Sequence, residues 1–194
     1  MQKILKIVVV CGIFLVCGML IARIALASWW PAEVKEVYNS AALRTASGTL
    51  SGFTQKPITP YDNKDKGHFF FNHFLAIPEI KEVQVALRYN DSTLQDIAAD
   101  FGLALSPEGT DERFCFYLRD DAGTVYTLTE GSYCHKLIYS YRRLVFDGID
   151  ATQCNYLYLD VYFGDADPSC DMPYGSMLIY AAEAPTDSVE LSLP

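Results

Sequence analysis

Beyond residue 67 the chain alternates. In VQVALRY, residues 83–89, Val83, Val85, Leu87 and Tyr89 fall on one side and Gln84, Ala86 and Arg88 on the other, the period-two signature of a strand with one face in a core. RFCFYLR (113–119), TVYTLT (124–129), YSYRRLVF (139–146), NYLYLDVYF (155–163) and SMLIYAAEA (176–184) repeat the theme, and SVELSL (188–193) closes it. DDAG, 120–123, reads as a hairpin turn between two of these strands. One segment breaks the period. DSTLQDIAADFG, 91–102, carries Leu94, Ile97, Ala98 and Phe101 on one helical stripe, with Ser92 and Gln95 as a capping box and Gly102 as the stop. About seven short strands separated by turns predict a mainly β domain over residues 67–194, an antiparallel β-sandwich with one short helix.

Two earlier segments differ in kind. Residues 1–30 contain no carboxylate, and the run from Ile7 to Ala27 is interrupted only by Arg23, close to the ~20 apolar residues needed to cross a bilayer. Two readings stay open. As a signal peptide, the segment offers Ala25-Leu26-Ala27 as a small-x-small cleavage site. As a signal anchor, it engages the membrane through residues 4–30, with Trp29 and Trp30 at the far interface. Lys3 and Lys6 crowd the short N-terminal flank, so the positive-inside rule places the N-terminus in the cytoplasm and the main domain outside. Residues 31–66 then read as a juxtamembrane helix, PAEVKEVYNSAALR, followed by a Gly-, Ser- and Pro-rich linker with an extended piece from Leu50 to Gln55.

Charge removes one class of function. All 24 carboxylates follow the span, against 12 of the 15 lysines and arginines, a balance of −12; after Arg143 there is no Lys or Arg at all. Nucleic acid requires a basic footprint, and the expectation is no nucleic-acid partner.

The candidate chemistry is sparse. His68 and His73 flank an aromatic run in GHFFFNHF, but positions five apart point to opposite sides of a strand, so the pair reads as structural. Cys115, Cys134, Cys154 and Cys170 lie beyond the span with no C-x-x-C among them. Outside a cell they suggest up to two disulfides, with buried thiols or a metal site as the alternatives. In GDADPSCDMPYG, Asp165, Asp167 and Asp171 share one loop that could offer oxygens to Ca²⁺. It is no EF-hand, since Cys170 stands at the glycine position. Neither G-x-S-x-G nor H-E-x-x-H occurs, and an enzyme is not expected.

Tyrosines supply the remaining candidate. Alternation puts Tyr156, Tyr158, Asp160 and Tyr162 on one face of their strand, and Tyr139, Tyr141 and Arg143 on one face of theirs. Solvent-facing rings beside Arg and Asp can stack on sugars or anchor a protein partner. The alternative is that they cover a sheet face.

VALRYNDSTL, YRRLVFDGID, LYLDVYFGD and YGSMLIYAAEAP resemble segments of uncharacterised single-pass membrane proteins of Gram-positive bacteria. The resemblance implies a short N-terminal anchor and an extracytoplasmic β-rich domain, without naming an activity. The expectation is therefore a membrane-tethered extracytoplasmic binding or interaction module. The rival is a carbohydrate-binding module using the tyrosine-rich face.

Overall fold

The computed structural model describes residues 2–56, 58, 67–102 and 113–193, in two compact units, 1–31 and 32–194. The first is a single helix, α1 (Gln2–Ser28). Its stretch Lys6–Ala25, with a mean hydropathy of 2.7, is long and apolar enough to cross a membrane.

The second unit is mainly β, as the alternation predicts. Among the described residues nine strands form one antiparallel sheet: β1 (Thr49–Gln55), β2 (Phe69–Ile77), β3 (Glu82–Asn90), β4 (Phe114–Asp120), β5 (Val125–Lys136), β6 (Tyr139–Asp147), β7 (Tyr156–Phe163), β8 (Gly175–Ala181) and β9 (Thr186–Ser192). Their order is β8-β7-β4-β5-β6-β3-β2-β1-β9. The two layers of the expected sandwich are the two arms of this one sheet, curled into a half-barrel. One core joins them, with Val83, Val85, Leu87, Leu144 and Phe146 from one arm and Phe116, Leu118, Leu157, Leu159 and Met177 from the other. Each such side chain contributes roughly 1.5–3 kcal/mol by leaving water. Phe69 meets Phe114 edge-on at 5.2 Å, and Phe74 stacks on Tyr180 at 5.6 Å, both pairs bridging the arms.

β5 makes the corner. Its first residues pair with β4 and the remainder with β6, with a register shift between Leu128 and Glu130. A bulge is how a strand passes from one layer to another. Gly131 sits just beyond it, where a Cβ would stand 2.3 Å from the carbonyl oxygen of Arg143. Only glycine permits that approach.

Two local expectations are corrected. The helix α4 (Asp91–Asp100) is capped by Asn90, whose side chain accepts from the Ser92 N–H, so Ser92 and Gln95 do not form the capping box. An Asx side chain two residues earlier takes the capping role. Leu94, Ile97 and Ala98 enter the core, but Phe101 is 52% exposed and instead stacks on Phe163 at 5.7 Å. Gly102, at φ +66, ends the helix as expected.

The single helix expected from residue 31 to 44 is two short ones, α2 (Ala32–Lys35) and α3 (Ala41–Thr45). Ser40 caps the second by accepting from the Leu43 N–H at 3.1 Å. Between them the backbone is drawn open by hydrogen bonds to the sheet: the Tyr38 N–H donates to Gln84 Oε1, and Ser40 Oγ donates to Glu82 Oε2 at 2.5 Å. Residues 32–45 thus form a strap over the outer face of β3, β5 and β6, with Val34 and Leu43 buried beneath it. The extended piece foreseen at Leu50–Gln55 is β1, paired with β9 along its whole length.

Candidate functional site

The tyrosine row does not assemble. On β7 the alternation holds: Leu157, Leu159 and Val161 are fully buried inside. Of the outer set, only Tyr156 (44% exposed) and the half-buried Tyr158 reach solvent; Asp160 and Tyr162 are buried. Arg119 on β4 causes this, donating through Nε to Asp160 Oδ2 at 2.7 Å and through Nη2 to Oδ1 at 3.1 Å. Ser176 Oγ donates to the same carboxylate. The guanidinium lies 4.9 Å from the Tyr158 ring centroid, while Tyr162 packs edge-on against Tyr117. This bidentate pair holds the Arg119 pKa above its ordinary value.

Tyr139, Tyr141 and Arg143 do share a face of β6, but all three are buried. Arg88 covers Tyr139 at 4.9 Å, and Tyr141 takes Tyr139 edge-on at 6.2 Å. β4 and β5 separate β6 from β7 in the sheet, so the two tyrosine groups belong to different arms. Sheet alternation gives the face a residue occupies, not what lies over that face.

No disulfide forms: Cys115, Cys134, Cys154 and Cys170 are all free. The fold commits them to separate places. Cys115 on β4 donates to the Gly164 carbonyl, Cys134 sits opposite Tyr141 on β5, Cys154 is buried beside the turn Ala151–Gln153, and Cys170 is exposed in the acidic loop. Burial, with Asp120 and Asp121 adding to it, pushes the Cys154 thiol up to about 11.

That loop spends its carboxylates on itself. Asp167 Oδ1 accepts from the Ser169 N–H and Asp171 Oδ2 from the Asp167 N–H, both at 2.8 Å. Asp165 and Asp171 border a recess shared with Phe101, Phe163 and Met172. Among the described residues no group of three or more His, Cys, Asp or Glu side chains converges as a Ca²⁺ or other metal site would require.

The histidines divide. His68 stacks against Tyr174, whereas His73 sits at a bulge in β2, between Asn72 and Leu75, with φ +49. The bulge breaks the period-two register that the sequence pattern assumes. It also aims the His73 carbonyl at Arg143 Nη1, which donates to it at 3.0 Å.

Around this bulge opens a cleft of about 260 Å³ lined by Arg143, His73, Gln55, Lys35, Lys56 and Asp187, with Phe74 and Leu75 as apolar walls. Arg143 is only 2% exposed. Its Nε donates to Gln84 Oε1 at 3.0 Å, and no carboxylate lies within ion-pair distance among the described residues. Both its acceptors are neutral. Burial brings its pKa down to about 10, with the charge of Glu82 working the other way. The His73 pKa is lowered first by burial, then by the charges of Arg143 and Lys35. Glu82, fully buried next to Gln84, is raised, chiefly by burial.

Among the described residues three cations against one carboxylate line the cleft, in a domain carrying −12 overall. The sequence did hold a trace of this: Gln84 stands between Val83 and Val85 in its strand, and Leu144 and Val145 follow Arg143 in its own. Nothing in the pattern placed Lys35 and Lys56 beside them. Comparison with known protein families, curated proteins and solved structures finds no match.

Proposed function

We propose that this chain is a membrane-tethered extracytoplasmic module that binds rather than transforms, taking its ligand in the cleft beside the strap. One observation carries the reading: Arg143 is a nearly inaccessible guanidinium held by two neutral acceptors at a cleft wall. Burying an ion without a direct ion pair costs several kcal/mol, roughly, even after relaxation, of which the charge of Glu82 offsets a part, and such costs concentrate at functional sites. His73, at positive φ on the same wall, adds a second. The apolar helix α1 and its basic N-terminal flank support the tether and the outward domain. The resemblance to single-pass membrane proteins of Gram-positive bacteria agrees with that layout.

A carbohydrate-binding module is the second reading, for one specific reason. Tyr156 and Tyr158, with Arg119, Asp120 and Asp121, border an open recess of about 530 Å³ where a sugar ring could stack.

The test uses the full chain in lipid nanodiscs with isotope-labelled histidine, titrated with a chemically diverse set of small molecules and soluble oligosaccharides. The cleft reading expects a ligand that shifts the His73 imidazole and leaves the exposed His135 unmoved. Oligosaccharides that bind through Tyr156, without touching His73, would transfer the site to the second reading. Sidedness is read separately. A membrane-impermeant maleimide should label Cys170 in intact expressing cells, and Cys170→Ser should remove that labelling; protection until lysis would place the domain in the cytoplasm.

A further inference from the structure

We infer that the cleft binds the anionic head of a small hydroxylated carboxylate or phosphate ester, an inference that rests on the cleft being the binding site. Three observations set the ligand's chemistry. First, the wall supplies fixed positive charge. Arg143 is immobilised by Gln84 and by the His73 carbonyl, with Nε and one Nη1 bond committed, and Lys35 and Lys56 reach the same space from the strap and from the end of β1. A preorganised guanidinium is the group that oxyanions engage with two parallel hydrogen bonds, with ammonium groups adding point charges.

Second, the counter-charge is incomplete. Asp187 on β9 is the one carboxylate among the described lining residues, and neither lysine nor Arg143 lies within ion-pair distance of it. An incoming anion therefore meets surplus positive charge, without having to displace an existing ion pair.

Third, the lining offers an acceptor. The Asp187 carboxylate borders the cleft without an ion pair to either lysine or to Arg143. A bare inorganic anion brings no donor to that carboxylate and is repelled by it. A hydroxyl on the ligand donates to it. The volume, about 260 Å³, suits a molecule of a few carbons and not a polymer.

Glycerol 3-phosphate and glycerate share a hydroxylated three-carbon frame and differ in the anion. With glycerol and sulfate they form a matched set, titrated into the full chain in nanodiscs while the His73 signal and the melting temperature are followed. One or both organic anions should bind, glycerol should not, and sulfate should bind at least tenfold more weakly. Whichever of the two binds more tightly assigns phosphate or carboxylate as the head.

Lys35→Ala and Lys56→Ala, both exposed and therefore safe for folding, should each weaken binding about tenfold. Lys136→Ala, on β5 away from the lining, should not. Equal loss in all three variants, or none in the first two, overturns the site. If neutral compounds move His73 and the anions do not, this inference fails while the cleft remains a binding site. If nothing moves His73, both fail.

Discussion

Arg143 Nε donates to Gln84 Oε1 at 3.0 Å, and that one amide holds together three parts of the domain. Its oxygen also accepts from the Tyr38 N–H at 2.8 Å, and its nitrogen donates to the Tyr38 carbonyl and to Glu82 Oε1. The strap, the sheet and the cleft wall therefore meet at a fully buried side chain. Gln84→Leu keeps much of the volume and leaves Arg143 Nε and both Tyr38 backbone groups without partners. The expected cost is about 3 kcal/mol, read by urea unfolding of the full chain in detergent, with new protease cuts between residues 36 and 45. For comparison, Arg44 and Glu130 approach only to 3.8 Å with the arginine side chain 55% exposed, and Arg44→Ala should cost under ~0.5 kcal/mol. If both variants cost the same small amount, the amide is not the clasp described.

The same clasp gives a pH dependence of definite sign. Burial raises the Glu82 pKa, reinforced by the charges of Asp147 and Glu130 and opposed by hydrogen bonds from Gln84 and Ser40. The folded chain therefore keeps a proton that the unfolded chain has released. Glu82's contribution is fully present below the unfolded carboxylate value of about 4.5 and is lost as pH rises through the higher folded value. Glu82→Gln, uncharged throughout, should gain on the wild type steadily as pH rises from the unfolded value through the folded one. Urea unfolding of both proteins across that window checks it. A difference that stays flat with pH would remove Glu82 as the titrating group.

These two predictions turn on a region that the pattern of residues left almost blank. The strands were legible because one face of each is apolar, and Val83, Val85, Leu87 and Tyr89 fell inward as read. The DDAG turn was legible too, with Gly123 at φ +87 and its N–H on the Asp120 carbonyl. The helix expected over 31–44 is interrupted by partners more than forty residues away, Glu82 and Gln84, which no local pattern shows. The tyrosine face failed for a related reason. Tyr139 and Tyr141 alternate correctly, but Arg88 and the neighbouring rings cover them, and cover is a tertiary fact. The cleft needed the β2 bulge at His73, and a bulge inserts itself without a local signature.

Gly131 offers a sharper test of the corner between the arms. Its missing Cβ would lie 2.3 Å from the Arg143 carbonyl oxygen, a backbone atom that cannot rotate away. Gly131→Ala must push β5 off β6 at the bulge, and about 2–4 kcal/mol of stability should go with it. Gly123 sits in open space at φ +87, so Gly123→Ala carries only the backbone strain, about 1 kcal/mol. The ordering of the two losses in denaturant unfolding decides the matter. Gly123→Ala costing more would mean the corner yields easily.

Strain at Leu137 can be relieved where nothing depends on it. Leu137 has φ +57 in the two-residue connection between Lys136 and Tyr139, and its side chain is 68% exposed. A left-handed backbone costs an L-residue roughly 1–2 kcal/mol, and Asn tolerates it better than Leu. Leu137→Asn should therefore raise the melting temperature by a few degrees, at about 1 kcal/mol. Leu137→Gly should gain less, because glycine also frees the unfolded chain. His73 has nearly the same conformation, φ +49, but its backbone carbonyl fixes Arg143 at the cleft. If His73→Asn is stabilising as well, yet the cleft variant binds anions differently, the strain at His73 is retained for the site. If Leu137→Asn brings no gain, the positive φ at either position is not a reservoir of strain, and its part in the case for the cleft falls away.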